Sequence, residues 1–224
     1  MPWLKDVSTL IHAWFGGQET GNAIADVLFG RHNPTGRLSI TFPHRVEDTP
    51  SFLSYGKGVR EMYYGEGVFI GYKYYEKLRN QPLFYFGYGL SYATFRYDNL
   101  QAPDVLDLSG HEDQTFTVSV EVTNTGSFDG HEIVQVYVSD VECNALRPRK
   151  ELKGFSKLWL AKGETVTANI QLDKYALSHW NEEKSMWHAE QGMFQIIISR
   201  SADPRDEVLE SEIELQQDLY WTGV

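Results

Sequence analysis

Length, composition and charge limit the class of protein before any motif is considered. The chain has 224 residues, of which 42% are hydrophobic and 23% charged, as expected for one large or two modest globular domains. Its 31 acidic and 20 basic residues give a net charge of −11, which argues against a nucleic-acid partner because a phosphate backbone attracts Lys and Arg. The single cysteine, Cys143, excludes an intramolecular disulfide and a zinc cage built of cysteines. No apolar run approaches the roughly 18 residues that span a bilayer, so no membrane partner is expected.

The first part of the chain predicts an α/β unit. Residues 8–15 (STLIHAWF) are compatible with a strand, residues 18–29 (QETGNAIADVLF) with an amphipathic helix, and residues 37–42 (RLSITF) with a second strand. Strand, helix, turn and strand in this order predict a βαβ unit and hence a parallel sheet. One such unit is too small to form a sheet, so we expect residues 1–62 to be the end of a larger domain whose remainder lies upstream of Met1.

Two segments lead from this unit to the next. Residues 44–62 show no strong periodicity and are predicted to form an extended surface loop. Residues 63–94 contain Tyr or Phe every one to three positions, interrupted by glycines. Aromatic rings bring large apolar area but need a partner for each hydroxyl group. We therefore predict that 63–94 is a packed joining segment between two structural units.

The remainder of the chain has the two-residue period of β-strands. Apolar residues alternate with polar ones, and turn sequences such as Asn-Thr-Gly and Lys-Gly separate the runs. This pattern predicts an antiparallel β-sandwich of the immunoglobulin or fibronectin type over residues 95–217, followed by a tail at 218–224. The predicted strands lie at 116–123, 132–138, 152–160, 165–172, 193–198 and 208–215.

Several long motifs together resemble family 3 of the glycoside hydrolases, the β-glucosidases and their relatives. WFGGQETGNAIADVLFGRHNPTGRLSITFP is similar to the closing segment of that family's α/β-sandwich domain. YGEGVFIGYKYYE and PLFYFGYGLSYATF resemble its joining segments. TNTGSFDGHEIVQVYVSD and RPRKELKGFSKLWLAKGETVTANIQL resemble its C-terminal fibronectin type III-like domain. The resemblance covers essentially the whole chain and is strongest to fungal and yeast β-glucosidases. It implies a mostly β fold in which a fibronectin type III-like sandwich follows the C-terminal fragment of an α/β sandwich domain.

The resemblance implies the chemistry of a retaining glycosidase, which needs a nucleophilic carboxylate and an acid/base carboxylate about 5–5.5 Å apart. In this family the nucleophile is an aspartate in an N-terminal barrel, in a Ser-Asp-Trp motif that this chain lacks. The acid/base is a glutamate on a loop upstream of the segment that opens this chain. No catalytic, cofactor-binding or metal residue is therefore assigned, and no cofactor is expected. The isolated chain is predicted to be inactive.

The implied partners are the upstream N-terminal catalytic domains and, for the full-length parent, a β-glucoside or oligosaccharide. The parent would hydrolyse terminal non-reducing β-D-glucosyl residues. The alternative is a truncated, non-catalytic β-sandwich module that binds carbohydrate or a partner chain. The N-terminal stretch lacks the basic-then-apolar pattern of a signal peptide. The sequence leaves localisation, secreted or cytoplasmic, and oligomeric state open.

Two acidic residues and a glycine pair still deserve consideration as site residues. Glu19, in GGQETG, is interpreted as a helix N-terminal charge rather than a catalytic acid. Gly16-Gly17 precedes a helix but lacks the Lys of a phosphate-binding loop. Glu66, flanked by glycines, either borders a sugar pocket or pairs with Lys73 or Arg60 to hold the joining segment. We favour the second role.

Aromatic, basic and histidine residues complete the candidates. Trp180, Trp187 and Trp221 are able to stack on sugar rings, although core or edge positions in the sandwich are favoured for the first two. The basic cluster of RPRKELK consists of Arg147, Arg149, Lys150 and Lys153. It is interpreted as a solvated strand face or as a salt-bridge patch between domains.

The seven histidines show no His-x-x-x-His pair, so a metal site is not expected.

Overall fold

Two packed β-sheets form the centre of the molecule in the computed structural model, which describes residues 1–56, 60, 62–108 and 115–223. The smaller sheet has the order β1-β3-β6, with β1 Phe95–Gln101, β3 Thr115–Asn124 and β6 Thr165–Asp173. The larger has the order β2-β10-β9-β4-β5. Its strands are β2 Val105–Leu106, β4 Gly130–Asp140, β5 Glu151–Leu160, β9 Gly192–Ser199 and β10 Glu207–Leu215. All pairs in the two sheets are antiparallel except β2 with β10, and the predicted β-sandwich is confirmed.

The alternating pattern of β3 shows how the sequence builds this sandwich. Val118, Val120 and Val122 are completely buried between the two sheets, whereas the residues between them point outward. Val120 lies opposite Ala168 of β6, and both belong to one continuous apolar core that also includes residues of β4, β9 and β10. The six strands predicted from period-two runs all form, because each run has an apolar face that only the opposite sheet can bury.

A third sheet, called the small sheet below, lies at one end of the sandwich. It has the order β11-β8-β7, with β7 His179–Asn181, β8 Met186–Ala189 and β11 Leu219–Trp221. β7 and β8 form a hairpin around the polar turn between Trp180 and Trp187. β11 lies in the segment 218–224 and pairs with β8, so this segment is attached to the sandwich by backbone hydrogen bonds.

The N-terminal part has one predicted helix but not the two predicted strands. Helix α1 spans Thr20–Leu28 and confirms the helical period of 18–29. Residues 8–15 are irregular, and 37–42 form only an isolated bridge between Phe42 and Phe84. Both strand predictions were therefore wrong for this chain. A strand needs a neighbour for its hydrogen bonds, and in the described part of the chain the backbone of 37–42 is hydrogen-bonded only to the segment 83–88, through Leu38 and Phe42.

The segments between α1 and the sandwich are mostly turns. The predicted loop contains a short 3-10 turn at Val46–Asp48, and the part of it at 57–59 and 61 lies outside the described residues. Helix α2, Tyr72–Leu78, is the only regular element of the joining segment in the described residues, and it follows Gly71, whose φ is +55°. Further 3-10 turns lie at Leu4–Asp6, Lys174–Ala176 and Pro204–Asp206. Within the described ranges no helix combines the length and the apolar character that a membrane crossing requires.

Candidate functional site

The joining segment packs directly against the outer side of the larger sheet. The ring of Tyr72, in α2, stacks on Phe86 with 5.3 Å between centroids and meets the edge of Tyr137 at 6.0 Å. Tyr137, in β4, is completely buried. The backbone N–H of Leu152 in β5 donates a 2.9 Å hydrogen bond to the Tyr72 hydroxyl oxygen, and burial raises the pKa of Tyr72 to about 12. These contacts join α2 to β4 and β5 as a packed aromatic interface.

The basic cluster lies at the same interface. Lys150 is completely buried, and its Nζ is 2.6 Å from Glu207 at the start of β10. Arg149 binds the same carboxylate at 2.8 Å and reaches Glu76 of α2 at 3.1 Å. The cluster is therefore a salt-bridge patch and not a solvated strand face. It connects the joining segment to the sandwich by charge-assisted hydrogen bonds.

A second set of ion pairs joins α2 to β5. The Nζ of Lys73 is 2.5 Å from Glu151, and Lys153 and Arg147 contact the other oxygen of that carboxylate at 3.4 Å each. Burial opposes the ionisation of Glu151, but the charges of Lys153, Lys73 and Arg147 outweigh it and lower its pKa to about 2. Lys73, one of the two cations that the sequence offers as partners of Glu66, is thus bonded to Glu151.

A buried ion pair connects the N-terminal part to the sandwich. The guanidinium of Arg37 lies 2.7 Å from Glu132 of β4, and both side chains are almost completely buried. The hydroxyl of Tyr97 donates a 2.6 Å hydrogen bond to the other oxygen of Glu132. Nearby, the Asn33 amide donates to the carbonyl of Asp129 at 2.9 Å. A buried carboxylate that is paired on both oxygens fixes the position of the segment that supplies the cation.

Glu76 and Glu207 are the pair of carboxylates that most resembles an acid/base pair. Burial raises the pKa of Glu76. Burial also opposes the ionisation of Glu207, but hydrogen bonds from Arg149 and Lys150 lower its pKa overall. Opposite shifts can mark an acid and a base. Here the two side chains are only 9% and 11% exposed and share Arg149 between them, an arrangement typical of a structural ion-pair network.

The acidic candidates and the glycine pair lie at the start of α1 and in a turn of the joining segment. Glu19 immediately precedes α1, and its carboxylate accepts a 2.6 Å hydrogen bond from the amide of Asn22, which matches the predicted charge at a helix N-terminus. The Thr20 hydroxyl donates to the carbonyl of Gly17. Glu66 lies in a turn in which its carbonyl accepts from the N–H of Phe69 at 3.0 Å.

The three tryptophan candidates are grouped on the small sheet. Trp180 and Trp187 meet edge to face at 5.8 Å, and Tyr175 packs against both Trp187 and Trp221 at about 5 Å. Trp221 also borders the sandwich core, whereas Trp180 is 46% exposed. Trp180 and Trp187 thus occupy an edge of the fold, as favoured from the sequence, and Trp180 is partly open to solvent.

The structure also brings together three potential metal ligands that the sequence analysis missed. One donor atom each from Cys143, His179 and Glu190 lies within 4.8 Å of the others. Burial and the charge of Arg147 lower the pKa of His179, which favours the neutral imidazole that binds metals. These residues come from a loop, a strand and the end of another strand. No spacing rule for ligands on one element could have found them, because only the folding of the small sheet makes them neighbours.

Two protein-family models match this chain, one before the β-sandwich and one within it. Residues 1–92 match the glycosyl hydrolase family 3 C-terminal domain, and residues 132–202 match a fibronectin type III-like domain. The chain belongs to family 3 of the glycoside hydrolases. It corresponds to the C-terminal part of that family's architecture.

Relatives of this family 3 chain align with it from end to end. It is 44% identical to a β-glucosidase of Kluyveromyces marxianus and 42% identical to a probable β-glucosidase I of Aspergillus fumigatus, and each alignment covers the whole chain. The crystal structure of the Kluyveromyces marxianus enzyme in complex with glucose superposes with a TM-score of 0.90. β-Glucosidase 3B of Thermotoga neapolitana, 32% identical, superposes over 93% of the chain with a TM-score of 0.83.

The matched region is a minor part of each relative. The chain spans 26% of the Kluyveromyces marxianus protein and 27% of the Aspergillus fumigatus protein. It covers 28% of the Thermotoga neapolitana chain. The family 3 chain thus spans about a quarter of the length of the relatives that it matches.

Proposed function

We propose that this chain is the C-terminal, structural part of a retaining β-glucosidase that hydrolyses terminal non-reducing β-D-glucosyl residues. The observation that carries the proposal is the end-to-end match, at 44% identity and a TM-score of 0.90, to a β-glucosidase solved with glucose. In this proposal the two catalytic carboxylates are supplied by chain that the present sequence does not contain. The described residues hold the end of an α/β unit against a β-sandwich.

The contacts of the chain support such a bracing role. Arg37 with Glu132 fixes the N-terminal part to β4, and the side chains of α2 are bonded to β5 and β10 by two groups of ion pairs. Buried ion pairs of this kind add little net stability but tolerate few alternative arrangements. A sandwich attached through them would set the position of the α/β unit, and a glycosidase site depends on placing groups to within a fraction of an ångström.

Transplantation tests this proposal. The matched C-terminal quarter of the Kluyveromyces marxianus β-glucosidase is replaced by this chain, and hydrolysis of p-nitrophenyl β-D-glucoside is measured. We expect the chimera to keep kcat/KM within about tenfold of the parent. This factor corresponds to a change of about 1.4 kcal/mol in the activation free energy. The matched control is the same enzyme cut before the replaced segment, which should be inactive.

The isolated chain provides the complementary measurement. We expect no hydrolysis by the purified 224-residue chain, with folding verified by circular dichroism. A folded but inactive chimera, or activity of the isolated chain that survives stringent purification, would contradict the proposal. Binding of cellobiose or a longer β-glucan to the isolated chain, lost in Trp180→Ala, would favour the carbohydrate-binding module instead.

A further inference from the structure

The small sheet and the loop after β4 create a compact set of metal-binding atoms. The thiol of Cys143 lies 3.8 Å from the Oε1 atom of Glu190, and the Nε2 atom of His179 lies 3.8 Å from the same oxygen. All three donor atoms lie within 4.8 Å of one another. Ligands about 2.0–2.3 Å from a tetrahedral zinc ion are about 3.3–3.8 Å apart. The observed spacing therefore needs only a small contraction to enclose one ion.

Glu190 is oriented as a ligand carboxylate would be. It is 8% exposed, and its Oε2 atom accepts two hydrogen bonds from Asn144, from the backbone N–H at 3.2 Å and from the side-chain amide at 2.9 Å. These bonds fix the carboxylate, and within the described ranges the contacts of Oε1 are those to Cys143 and His179, each at 3.8 Å. In protein metal sites, a ligand side chain is usually held in place by hydrogen bonds to those of its polar atoms that do not bind the metal.

Unpartnered nitrogens next to these atoms are a second, independent observation. His188 is 7% exposed and stands opposite His179 across the β7–β8 hairpin, with 5.2 Å between ring centroids. Its Nδ1 atom is buried without a hydrogen-bond partner, and so is the Nδ1 atom of His179. Buried polar atoms normally find a partner. A water bound to an ion at Cys143, His179 and Glu190 would supply one for His188, whereas the Nδ1 atom of His179 points away from the Nε2 atom that faces Glu190.

The local charges are compatible with a cation. Arg147 is a cation close enough for its charge to act on Cys143 and His179, and its guanidinium is already bonded to Asp140 at 3.1 Å and to the carbonyl oxygens of Leu177 and Ser178 at 3.2 Å each. On binding, the Cys143 thiol would lose its proton to solvent as the sulfur–metal bond forms. The resulting thiolate and the Glu190 carboxylate would together balance a divalent ion.

We propose that Cys143, His179 and Glu190 bind one borderline-soft divalent cation of the Zn²⁺ class, with His188 beside it and water completing the tetrahedron. Sulfur and imidazole donors select such ions over Mg²⁺ and Ca²⁺, which prefer oxygen. The ion would attach the loop after β4 to the small sheet, at the end of the sandwich. This inference does not depend on the proposed β-glucosidase function.

Metal binding by the full 224-residue chain tests the proposal. The chain is stripped with a chelator, and Zn²⁺ affinity is measured by competition with a chromophoric chelator. We expect one Zn²⁺ per chain, and with Co²⁺ a sulfur-to-metal charge-transfer band together with the visible bands of a tetrahedral site. Cys143→Ser and His179→Gln should each weaken Zn²⁺ binding on the order of a hundredfold. His32→Gln, an exposed histidine near α1, is the matched control and should leave the affinity unchanged.

Two further readouts keep the proposal falsifiable if a variant folds poorly. In the unmodified chain, Zn²⁺ should slow alkylation of Cys143 by iodoacetamide, whereas Mg²⁺ should not. Zn²⁺ should also raise the Tm of the unmodified chain and leave that of Cys143→Ser unchanged. Absence of stoichiometric Zn²⁺ binding would overturn the proposal. So would equal affinity in Cys143→Ser and His179→Gln, or an alkylation rate that Zn²⁺ does not alter.

Discussion

At the scale of single residues, Lys150 shows how a buried charge constrains the fold. Its ammonium group is completely buried, pairs with Glu207 at 2.6 Å and lies 5.0 Å from the centre of the Tyr137 ring. A buried lysine is tolerated only where an opposite charge and a polarisable surface replace water. The sequence showed a basic cluster, but not which of its members would be buried.

Replacing this lysine should be costly. We expect Lys150→Met to lower the free energy of unfolding by about 3 kcal/mol, because it leaves the buried carboxylate of Glu207 with one cation fewer. Urea unfolding of the isolated chain measures the change. Lys162→Met, in an exposed turn, is the matched control and should change stability by less than about 0.5 kcal/mol. Equal effects of the two variants would show that Glu207 is stabilised by Arg149 alone.

At the scale of elements, we expect the contact of α2 with β5 to depend on pH. Burial opposes ionisation of Glu151, but Lys153, Lys73 and Arg147 hold its pKa at about 2, against an ordinary value of 4.5. A carboxyl group whose pKa is lower in the folded state stabilises the fold above its unfolded pKa. That contribution is lost as the pH falls from about 4.5 towards about 2.

Glu151→Gln isolates this contribution. The variant should be less stable than the unmodified chain at pH 7, and its stability should decline less steeply between pH 5 and pH 3. Thermal unfolding at a series of pH values measures both effects. Glu183→Gln, in the exposed turn of the β7–β8 hairpin, serves as the control and should leave the pH profile unchanged. An unchanged profile for Glu151→Gln would mean that other carboxylates cause the acid sensitivity of this interface.

The length and packing of individual elements explain which of them could be predicted from the sequence. The runs at 116–123 and 165–172 carry their apolar face in the local sequence, and they pair with each other as β3 and β6. The short strands β7, β8 and β11 have three or four residues each, too few for a period to emerge. The runs at 8–15 and 37–42 look like strands, but a strand also needs a neighbour, which local sequence does not reveal.

At the scale of the whole molecule, apolar surface is distributed unevenly. The sandwich encloses a continuous core, whereas α1 has no buried residue and the rings of Phe15 and Phe29 are almost entirely exposed. An exposed apolar surface of this extent is typical of an interface. It agrees with the proposal that the N-terminal part completes a larger α/β domain.

Limited proteolysis should separate these two parts. Trypsin should cut the isolated chain first after Arg31 and Arg45, whose side chains are 78% and 72% exposed, and only much later after the buried Lys150. Local opening is easiest where few apolar contacts are lost. Mass spectrometry of timed samples measures the order of cleavage. In the chimera with the Kluyveromyces marxianus enzyme the two early cuts should be slowed, and early cleavage after Lys150 in either protein would contradict this division of stability.

The sandwich, helix α1 and the family resemblance could be predicted from the amino-acid sequence, because each is recorded in local periodicity or in long continuous motifs. The burial of Lys150 against Glu207 and the pairing of Arg37 with Glu132 are visible only in the folded chain. The same is true of the proximity of Cys143, His179 and Glu190. These contacts join residues that are distant in the chain, and no local pattern records them, since the pairing of sheets and hairpins brings their side chains together.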